Sequence, residues 1–183
     1  SLKDGLKGYN TDYFGIEYTF IKNNIQVKGK NVLIAGSGGA SKSVIAYLTD
    51  ENVNKIFVAS RNPQQISANS ELVLAVSYED IIKYTPFDIV INTTPVGMFP
   101  NTEFSPLKPE HIKQAQFLFD LIYNPGKTEL MKLAEKLGIQ NVNGIHMLVA
   151  QAVKAHEIWH GKDFAEGFID SVYNEAQKSF TLS

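Results

Sequence analysis

Six short apolar runs alternate with helix-like segments, and this alternation constrains the fold more than any other feature of the chain. The runs are rich in Val, Ile and Phe, as strands buried on both faces must be. They span 31–35, 55–59, 72–76, 87–92, 116–123 and 139–142. Helices are predicted at 40–50, 78–84 and 128–137, with Gly138 closing the last. The pattern predicts an α/β fold, a doubly wound parallel sheet of about six strands.

Helical patterns flank the predicted sheet at both ends. At the start, the helix covers 11–24, with Asn10 or Thr11 as N-cap and Asp12 in the first turn, where the helix dipole favours a carboxylate. At the end, two helices are predicted at 145–160 and 163–179, and Gly161 lies between them. The segment 97–115 holds three prolines and is predicted to be irregular, with one short helix. We therefore divide the chain into a segment 1–24, a sheet domain 25–144 and C-terminal helices 145–183.

Composition excludes several classes of partner. The 183 residues carry a net charge of −2, so no broad basic surface is available for nucleic acid or anionic lipid. The absence of cysteine rules out disulfides and thiolate metal sites, and it points weakly to the cytoplasm. No apolar run approaches membrane-spanning length. We expect a cytoplasmic protein without a metal, a membrane or a nucleic-acid partner.

A glycine-rich turn follows the first predicted strand and opens the next helix. It reads Gly36-Ser37-Gly38-Gly39-Ala40-Ser41. Gly36 permits the tight turn, Gly38 lets the backbone approach a pyrophosphate, and the helix start supplies free N–H groups. Ser41, in place of the third glycine of the usual fingerprint, is small enough for close packing. The setting predicts a dinucleotide site in a Rossmann-like domain, and a turn without a ligand is the alternative.

The end of the second predicted strand indicates which dinucleotide binds. Lys55–Ala59 leads into Ser60-Arg61-Asn62, without the Asp or Glu that usually binds the ribose 2′-hydroxyl of NAD. Arg61 is able to pair with a 2′-phosphate and to stack on adenine. This favours NADP, and the alternative for Arg61 is a solvated loop residue.

Two other loops leave carboxyl ends of predicted strands, where ligands bind in this fold. The first is Ile91-Asn92-Thr93-Thr94-Pro95-Val96-Gly97-Met98, and the second covers Phe119 to Gly126. Small polar residues beside Pro and Gly suit a wall against a nicotinamide ribose, but plain turns remain an equal alternative.

Five motifs in the chain resemble those of shikimate dehydrogenases, in the family's order. Residues 8–12 resemble Gly-x-Asn-Thr-Asp, and 36–41 resemble Gly-Ala-Gly-Gly-Ala-Ser. Residues 60–62 stand where the family has Asn-Arg-Thr, and 91–98 resemble Ile-Asn-Ala-Thr-Pro-x-Gly-Met. Residues 143–152 resemble Asn/Asp-Gly-x-Gly-Met-Leu-Val-x-Gln-Ala. The chain is thus similar to the C-terminal, cofactor-binding part of this family.

The resemblance implies an oxidoreductase of aromatic amino-acid biosynthesis that reversibly reduces 3-dehydroshikimate to shikimate with NADPH. In the family a Lys–Asp pair lies by the reacting oxygen, and its Asp matches Asp12. An ionised carboxylate is able to hold a substrate hydroxyl and to orient an ammonium partner. The resemblance places substrate contacts on Asp12, Tyr123 and Gln151. It places cofactor contacts on Gly36, Ser37, Gly38, Gly39, Ala40, Ser60, Arg61, Asn62, Thr94, Pro95, Val96, Leu121, Gly144 and Met147.

Three residues depart from the family pattern. Gln65 replaces a second arginine, which leaves NAD use open beside NADP. Lys42 replaces the Arg usual after the glycine turn. His146 replaces a glycine close to the expected nicotinamide, where it is either a pH-sensitive cofactor contact or, as we expect, a packed or solvated side chain.

The family's catalytic Lys belongs to an N-terminal substrate domain, in a Pro-His-Lys context that these residues lack. We therefore expect a separated cofactor domain that binds NADPH, shares its substrate with the missing domain and is inactive alone. The C-terminal helices should pack on that domain, which leaves an apolar face of Ile145, Leu148, Val149 and Ala152 exposed or covered by another copy in a homodimer.

Other functions stay open at this point. Quinate or aminoshikimate dehydrogenases share the motifs, and a stand-alone dinucleotide-binding module would keep the fold without the chemistry. His156-Glu157-x-x-His160 is literally the His-Glu-x-x-His pattern of zinc metalloproteases, with Glu166 or Glu175 as the only third-ligand candidates. Against the zinc site, the same helix end resembles the family's Phe-Glu-Leu-Trp-x-Gly, and we expect no metal.

Overall fold

The computed structural model describes residues 7–66, 71–165 and 167–181, and these form an α/β fold. Its strands are β1 (Asn31–Ala35), β2 (Lys55–Ala59), β3 (Val73–Val76), β4 (Ile89–Asn92), β5 (Phe117–Asp120) and β6 (Gln140–Val142). Its helices are α1 (Thr11–Lys22), α2 (Gly39–Asp50), α3 (Pro109–Ile112), α4 (Glu129–Lys136), α5 (Ile145–His160) and α6 (Phe168–Thr181). Short 3₁₀ turns lie at Pro63–Gln65 and Ile81–Tyr84.

The six strands form one parallel sheet in the order β3-β2-β1-β4-β5-β6. The predicted doubly wound Rossmann-like sheet is therefore confirmed. The order reverses between β1 and β4, which are paired from Val32 with Ile89 to Ala35 with Asn92. A crevice outside the carboxyl ends of strands at such a reversal is where this fold binds its ligands.

Each face of the sheet carries its own apolar core, because successive side chains along a strand point to opposite faces. On one face Val32 and Ile34 pack with residues of α1 and α2, and Met147 of α5 joins them. On the other face Leu33 and Ala35 pack with residues of α3 and α4 and of the 3₁₀ turn Ile81–Tyr84. The helices thus divide between the two faces as a doubly wound sheet requires.

Helix α1 begins as its sequence predicts. The Asn10 side-chain oxygen accepts hydrogen bonds from the backbone N–H groups of Asp12, at 3.0 Å, and Tyr13, at 3.4 Å. Asn10, rather than Thr11, is therefore the N-cap. Its amide nitrogen also donates to Ser43 Oγ of α2, at 3.2 Å, which ties the start of α1 to the helix that follows the glycine turn.

Three predicted elements depart most clearly from the structure, two of them for a local reason. Strand β5 ends at Asp120 instead of residue 123, because the Asp120 carboxylate accepts from the Ile122 N–H and turns the chain. The predicted helix 78–84 is only the 3₁₀ turn Ile81–Tyr84. The last helix starts at Phe168 instead of 163. The Phe164 N–H donates to the Glu157 side chain of α5, so the residues around Phe164 remain tied to α5 and do not enter the last helix.

Candidate functional site

The glycine turn between β1 and α2 lies at the sheet reversal. Gly36 adopts φ +101°, and a Cβ there would meet Thr93 Oγ1 at 2.8 Å and Thr94 Cγ2 at 2.9 Å. Only glycine fits this position. At Gly38 and Gly39 a Cβ would meet nothing within 4 Å, so the space in front of their backbone is open.

The start of α2 is free to bind an anion. Gly38 is its N-cap, no side chain caps the helix, and its first turn holds no acidic residue. The uncapped N–H groups and the helix dipole together favour a phosphate. Ser41 is buried, and its Oγ donates to the Gly38 carbonyl at 2.7 Å, which fits the close packing predicted for a small residue.

The end of β2 adjoins this turn. Ser60 is buried, and its Oγ lies 3.1 Å from Ser37 Oγ and accepts from the Asn62 N–H at 3.2 Å. Arg61 is exposed, and its charge acts on Tyr78, whose pKa is raised by burial and lowered in part by the guanidinium. The cation therefore lies just after β2, close enough to Tyr78 for its charge to act on the phenol.

The loop after β4 is held by its own polar side chains. Buried Asn92 accepts from the Thr94 N–H at 2.9 Å and the Thr94 Oγ1 at 2.8 Å, and Thr94 Oγ1 accepts from the Val96 N–H at 3.2 Å. Thr93 Oγ1 donates to the Ala35 carbonyl at 2.8 Å and joins this loop to β1. Pro95 and Val96 remain exposed, available to a ligand.

Asp120 is the site residue that sequence reasoning missed. It is fully buried at the end of β5, where it accepts from Asn92 Nδ2 at 2.9 Å, the Ile122 N–H at 3.1 Å and Thr128 Oγ1 at 2.7 Å. Burial raises its pKa to about 6, against the effect of these hydrogen bonds. A carboxylate that ends an otherwise apolar strand was the available signal.

Gly144 brings the start of α5 against the loop after β5. A Cβ on Gly144 would overlap the Leu121 carbonyl oxygen, and the Gly144 N–H donates to the Ile122 carbonyl at 3.0 Å. Met147 is buried in the core shared with α1. The structure thus places Leu121 and Gly144 in direct contact, and puts Met147 just behind them.

Asp12 and Gln151 lie on helices that cross. A Cβ on Gly15, one turn after Asp12, would lie 2.7 Å from the Met147 carbonyl oxygen and 3.4 Å from Gln151 Cβ. Within the part of the chain that the structure describes, the Asp12 carboxylate has no hydrogen bond or ion pair, and the buried Gln151 Oε1 has no hydrogen-bond partner. Tyr123 stands on another element, the loop after β5, with 39% of its surface exposed.

His146 is a packed side chain, as expected. Its ring stacks on Tyr173 of α6, with centroids 3.8 Å apart and planes 4° from parallel. Burial lowers its pKa, as does the charge of Lys22, while Asp170 opposes the shift. The alternative role as a cofactor contact fits less well, because Tyr173 of α6 covers this ring.

The apolar face expected on α5 is covered by the chain itself. Ile145 and Val149 are buried against α6, together with Val153, while Ala152 is exposed and Leu148 is half-buried. Helix α6 is held there by Asp170, which accepts from Tyr18 at 2.9 Å and pairs with Lys22 at 2.7 Å. The expectation that this face is left to another copy is therefore wrong for Ile145 and Val149.

The described residues of the His-Glu-x-x-His segment are engaged in other contacts than those of a zinc protease site. His156 and His160 are exposed on α5 with ring centroids 5.9 Å apart. Glu157, the required general base, instead pairs with Lys154 at 2.9 Å and accepts from the Phe164 N–H at 3.0 Å. Among the described residues no three His, Cys, Asp or Glu side chains group around a metal position, and Glu166 lies outside those residues.

Comparisons with known proteins agree with this architecture. The chain is 34% identical over 182 residues to shikimate dehydrogenase (NADP(+)) of Clostridium perfringens, covering 98% of this chain and 67% of that protein. A chorismate mutase/shikimate 5-dehydrogenase fusion protein from Clostridium acetobutylicum superposes with a TM-score of 0.92 at 34% identity, covering 98% of this chain and 65% of that one.

A third match has a bound cofactor. A shikimate dehydrogenase solved in complex with NADP+ superposes with a TM-score of 0.80 at 31% identity, covering 94% of this chain and 62% of that one. No protein-family model matches the chain. The helices that the structure describes include none that is long and apolar enough to cross a membrane. The chain spans about two thirds of the length of the proteins it matches, and at this identity and coverage it belongs to the shikimate dehydrogenase family.

Proposed function

We propose that these residues form the NADP-binding part of a shikimate dehydrogenase, which reduces 3-dehydroshikimate to shikimate at the expense of NADPH. The curated relative is an NADP(+) enzyme, and a structural relative binds NADP+. The location is cytoplasmic. The substrate is a small molecule that this part shares with a second, substrate-binding domain, and the proposal includes a homodimer.

The main support for cofactor binding is the glycine turn. Gly36 leaves no room for a side chain of its own against the Thr93 and Thr94 side chains, while Gly38 and Gly39 face open space beside an uncapped helix start. That combination suits a diphosphate, which must reach the N–H groups of α2 without meeting side chains. The residues present therefore fit the cofactor.

Arg61 favours NADP over NAD. It is exposed at the end of β2, where no carboxylate competes for its charge in the sequence 60–62. A ribose 2′-phosphate placed there gains a charge-assisted pair, whereas a 2′-hydroxyl gains much less. Gln65, exposed on the neighbouring 3₁₀ turn, adds no second cation, so the preference rests on one residue and NAD retains measurable affinity.

The chemistry divides between the cofactor and this chain. NADPH, when bound, supplies a hydride to the ketone carbon, and the resulting alkoxide takes one proton. Asp12 accepts a hydrogen bond from a substrate hydroxyl and orients the cation that delivers the proton. Gln151 and Tyr123 hold other hydroxyl or carboxylate groups of the ring. The loop 93–96 and Gly144 form walls of the crevice in which the cofactor and the ring meet.

Proton delivery requires a cation beside Asp12 that the described residues do not provide. We therefore propose that the 183-residue chain binds NADPH but does not oxidise shikimate by itself. An assay of NADP+ reduction with shikimate tests this. Turnover comparable to that of a full-length dehydrogenase would overturn it.

A cofactor titration tests the main proposal. By calorimetry, NADPH should bind the chain more tightly than NADH, and Arg61→Ala should weaken NADPH about tenfold or more while leaving NADH unchanged, because a hydrogen bond to a charged group contributes about 1.5–3 kcal/mol. Lys136→Ala, an exposed cation at the end of α4, is the matched control and should change neither affinity. Equal affinities for NADPH and NADH in the parent chain would contradict the role given to Arg61.

A further inference from the structure

We propose that Asp120 is a positioning residue for the cofactor loop: as a buried hydrogen-bond acceptor, it fixes the conformation of residues 93–96 through Asn92. The inference rests on the proposed function, because this loop is then a wall of the NADP crevice. Asp120 itself is fully buried and does not face the crevice.

A continuous series of hydrogen bonds joins Asp120 to the loop. Asp120 Oδ1 accepts from Asn92 Nδ2 at 2.9 Å, which orients the Asn92 amide so that its oxygen points to Thr94. That oxygen accepts from the Thr94 N–H at 2.9 Å and Thr94 Oγ1 at 2.8 Å, and Thr94 Oγ1 accepts from the Val96 N–H. The Thr94 N–H and the Asp120 carboxylate favour the same orientation of the Asn92 amide from its two ends. Without the acceptor at Asp120, the buried Asn92 Nδ2 loses its partner, and only the Thr94 side of the series holds the amide in place.

The same carboxylate also positions the loop after β5, which forms a second wall of the crevice. Oδ1 also accepts from the Ile122 N–H at 3.1 Å, and the Ile122 carbonyl accepts from the Gly144 N–H at 3.0 Å. One buried side chain thereby connects the loops after β4 and β5 with the start of α5. These are the three elements that carry Thr94, Leu121 and Gly144, all predicted cofactor contacts.

What the site needs from Asp120 is acceptor geometry at Oδ1, not a charge. The groups that face the carboxyl are Asn92 of β4, the Ile122 N–H and Thr128 at the start of α4; none of these titrates, and no charged side chain contributes to its pKa. Burial raises that pKa to about 6. A proton on Oδ2 would be donated to Thr128 Oγ1, since a hydroxyl both donates and accepts, and Oδ1 would keep both of its donors.

Two variants separate geometry from charge. Asp120→Asn keeps an acceptor at Oδ1 and places a donor opposite Thr128, so it mimics the protonated acid. Asp120→Ala removes both functions and leaves the Asn92 amide and the Ile122 N–H buried without an acceptor. The readouts are hydrogen exchange at the Thr94 and Val96 amides without any ligand, and the NADPH dissociation constant.

We expect Asp120→Asn to keep the exchange protection and to bind NADPH within about threefold of the parent. We expect Asp120→Ala to lose protection at both amides and to weaken NADPH at least about tenfold, because a misplaced binding group costs affinity steeply. Val27→Ala is the control for general destabilisation. Val27 is buried and precedes β1, at the amino ends of the strands and away from the loops after β4 and β5. This substitution should lower the melting temperature and leave both readouts unchanged.

Three results would overturn the inference: protection at Thr94 and Val96 retained in Asp120→Ala, protection lost in Asp120→Asn, or Val27→Ala reproducing the effects of Asp120→Ala. The exchange measurement needs no cofactor. If the parent chain fails to bind NADPH, the proposed function fails, yet the dependence of the loop on Asp120 is still decided.

Discussion

The carboxyl edge of the sheet and the helical layer of α1, α5 and α6 are held together in different ways. At the edge, small polar groups meet at hydrogen-bond distance, as Ser37 does with Ser60 and Asn92 with Asp120. In the helical layer, buried apolar side chains of α5 such as Val149 pack against α6. Hydrogen bonds depend steeply on geometry, whereas apolar burial depends mainly on area.

This difference separates binding from stability. A substitution at the edge should displace loops that form the crevice before it unfolds the chain. A substitution in the helical layer should lower the free energy of unfolding without changing cofactor affinity. The first two of the following experiments would break this division if the expected readout did not change, or if the other one did.

Gly36→Ala should have the largest effect, and it should fall on binding. The new Cβ would lie 2.8 Å from Thr93 Oγ1, at a backbone φ of +101° that alanine avoids. Strain of this kind costs about 1–3 kcal/mol before the displaced loop is counted, so NADPH affinity should drop on the order of 100-fold by calorimetry. Gly8→Ala, where a Cβ meets nothing within 4 Å, is the control and should bind normally.

Val149→Ala should act on stability alone. Val149 is 5% exposed and packs with Ile145 and Val153 against α6. Removing its two methyl groups should lower the free energy of unfolding by about 2 kcal/mol in urea denaturation, with the NADPH dissociation constant unchanged. Ala152→Ser, an exposed position on the same helix, should be close to neutral. A parallel loss of NADPH affinity in Val149→Ala would show that the layer also shapes the crevice.

Asp120 should make the free energy of unfolding depend on pH. Its folded pKa, about 6, lies above the ordinary 3.8, so the folded state holds the proton more tightly than the unfolded state. Its contribution to stability is therefore present at low pH and declines as pH rises from about 4 to 6. Urea denaturation at several pH values should show this slope in the parent chain and a reduced slope in Asp120→Asn. An unchanged slope would mean that the carboxyl is already ionised at low pH.

His146 should make the stability of the helical layer depend on pH as well, with a smaller effect of the opposite sign. Burial lowers its pKa from 6.5, so the unfolded state binds the proton more tightly, and stability declines as pH falls below that value. His146→Phe keeps an aromatic ring against Tyr173 without titrating, and it should retain hydrogen-exchange protection in α6 at acid pH. His156→Phe, at an exposed position, should behave like the parent.

Sequence patterns located the sheet edge well because its requirements are local. The tight turn after β1 needs a glycine at position 36, so a few neighbouring residues are enough to predict it. The limits of β1 and β2 were correct for the same reason, since apolar runs end where the backbone leaves the sheet.

Long-range partners could not be predicted in the same way. That α6 covers Ile145 and Val149 depends on a stack of His146 with Tyr173 and a salt bridge between Lys22 and Asp170, which join distant parts of the chain. Asp120 was missed because its partners Asn92 and Thr128 come together only when β4, β5 and α4 are assembled. An apolar stripe indicates that something covers a helix, but not which segment does so.

Because Gly15 has no side chain, helices α1 and α5 approach each other closely at this position. The Met147 carbonyl oxygen would lie 2.7 Å from any Cβ at that position, so α1 and α5 touch there through their backbones. Asp12 is carried by α1, one turn away, while α5 begins at the crevice wall formed by Gly144. A single methyl group at position 15 would therefore act as a wedge that tilts α1 and displaces the Asp12 carboxylate. It would also press on Met147, whose Cγ would lie 2.9 Å from the new Cβ.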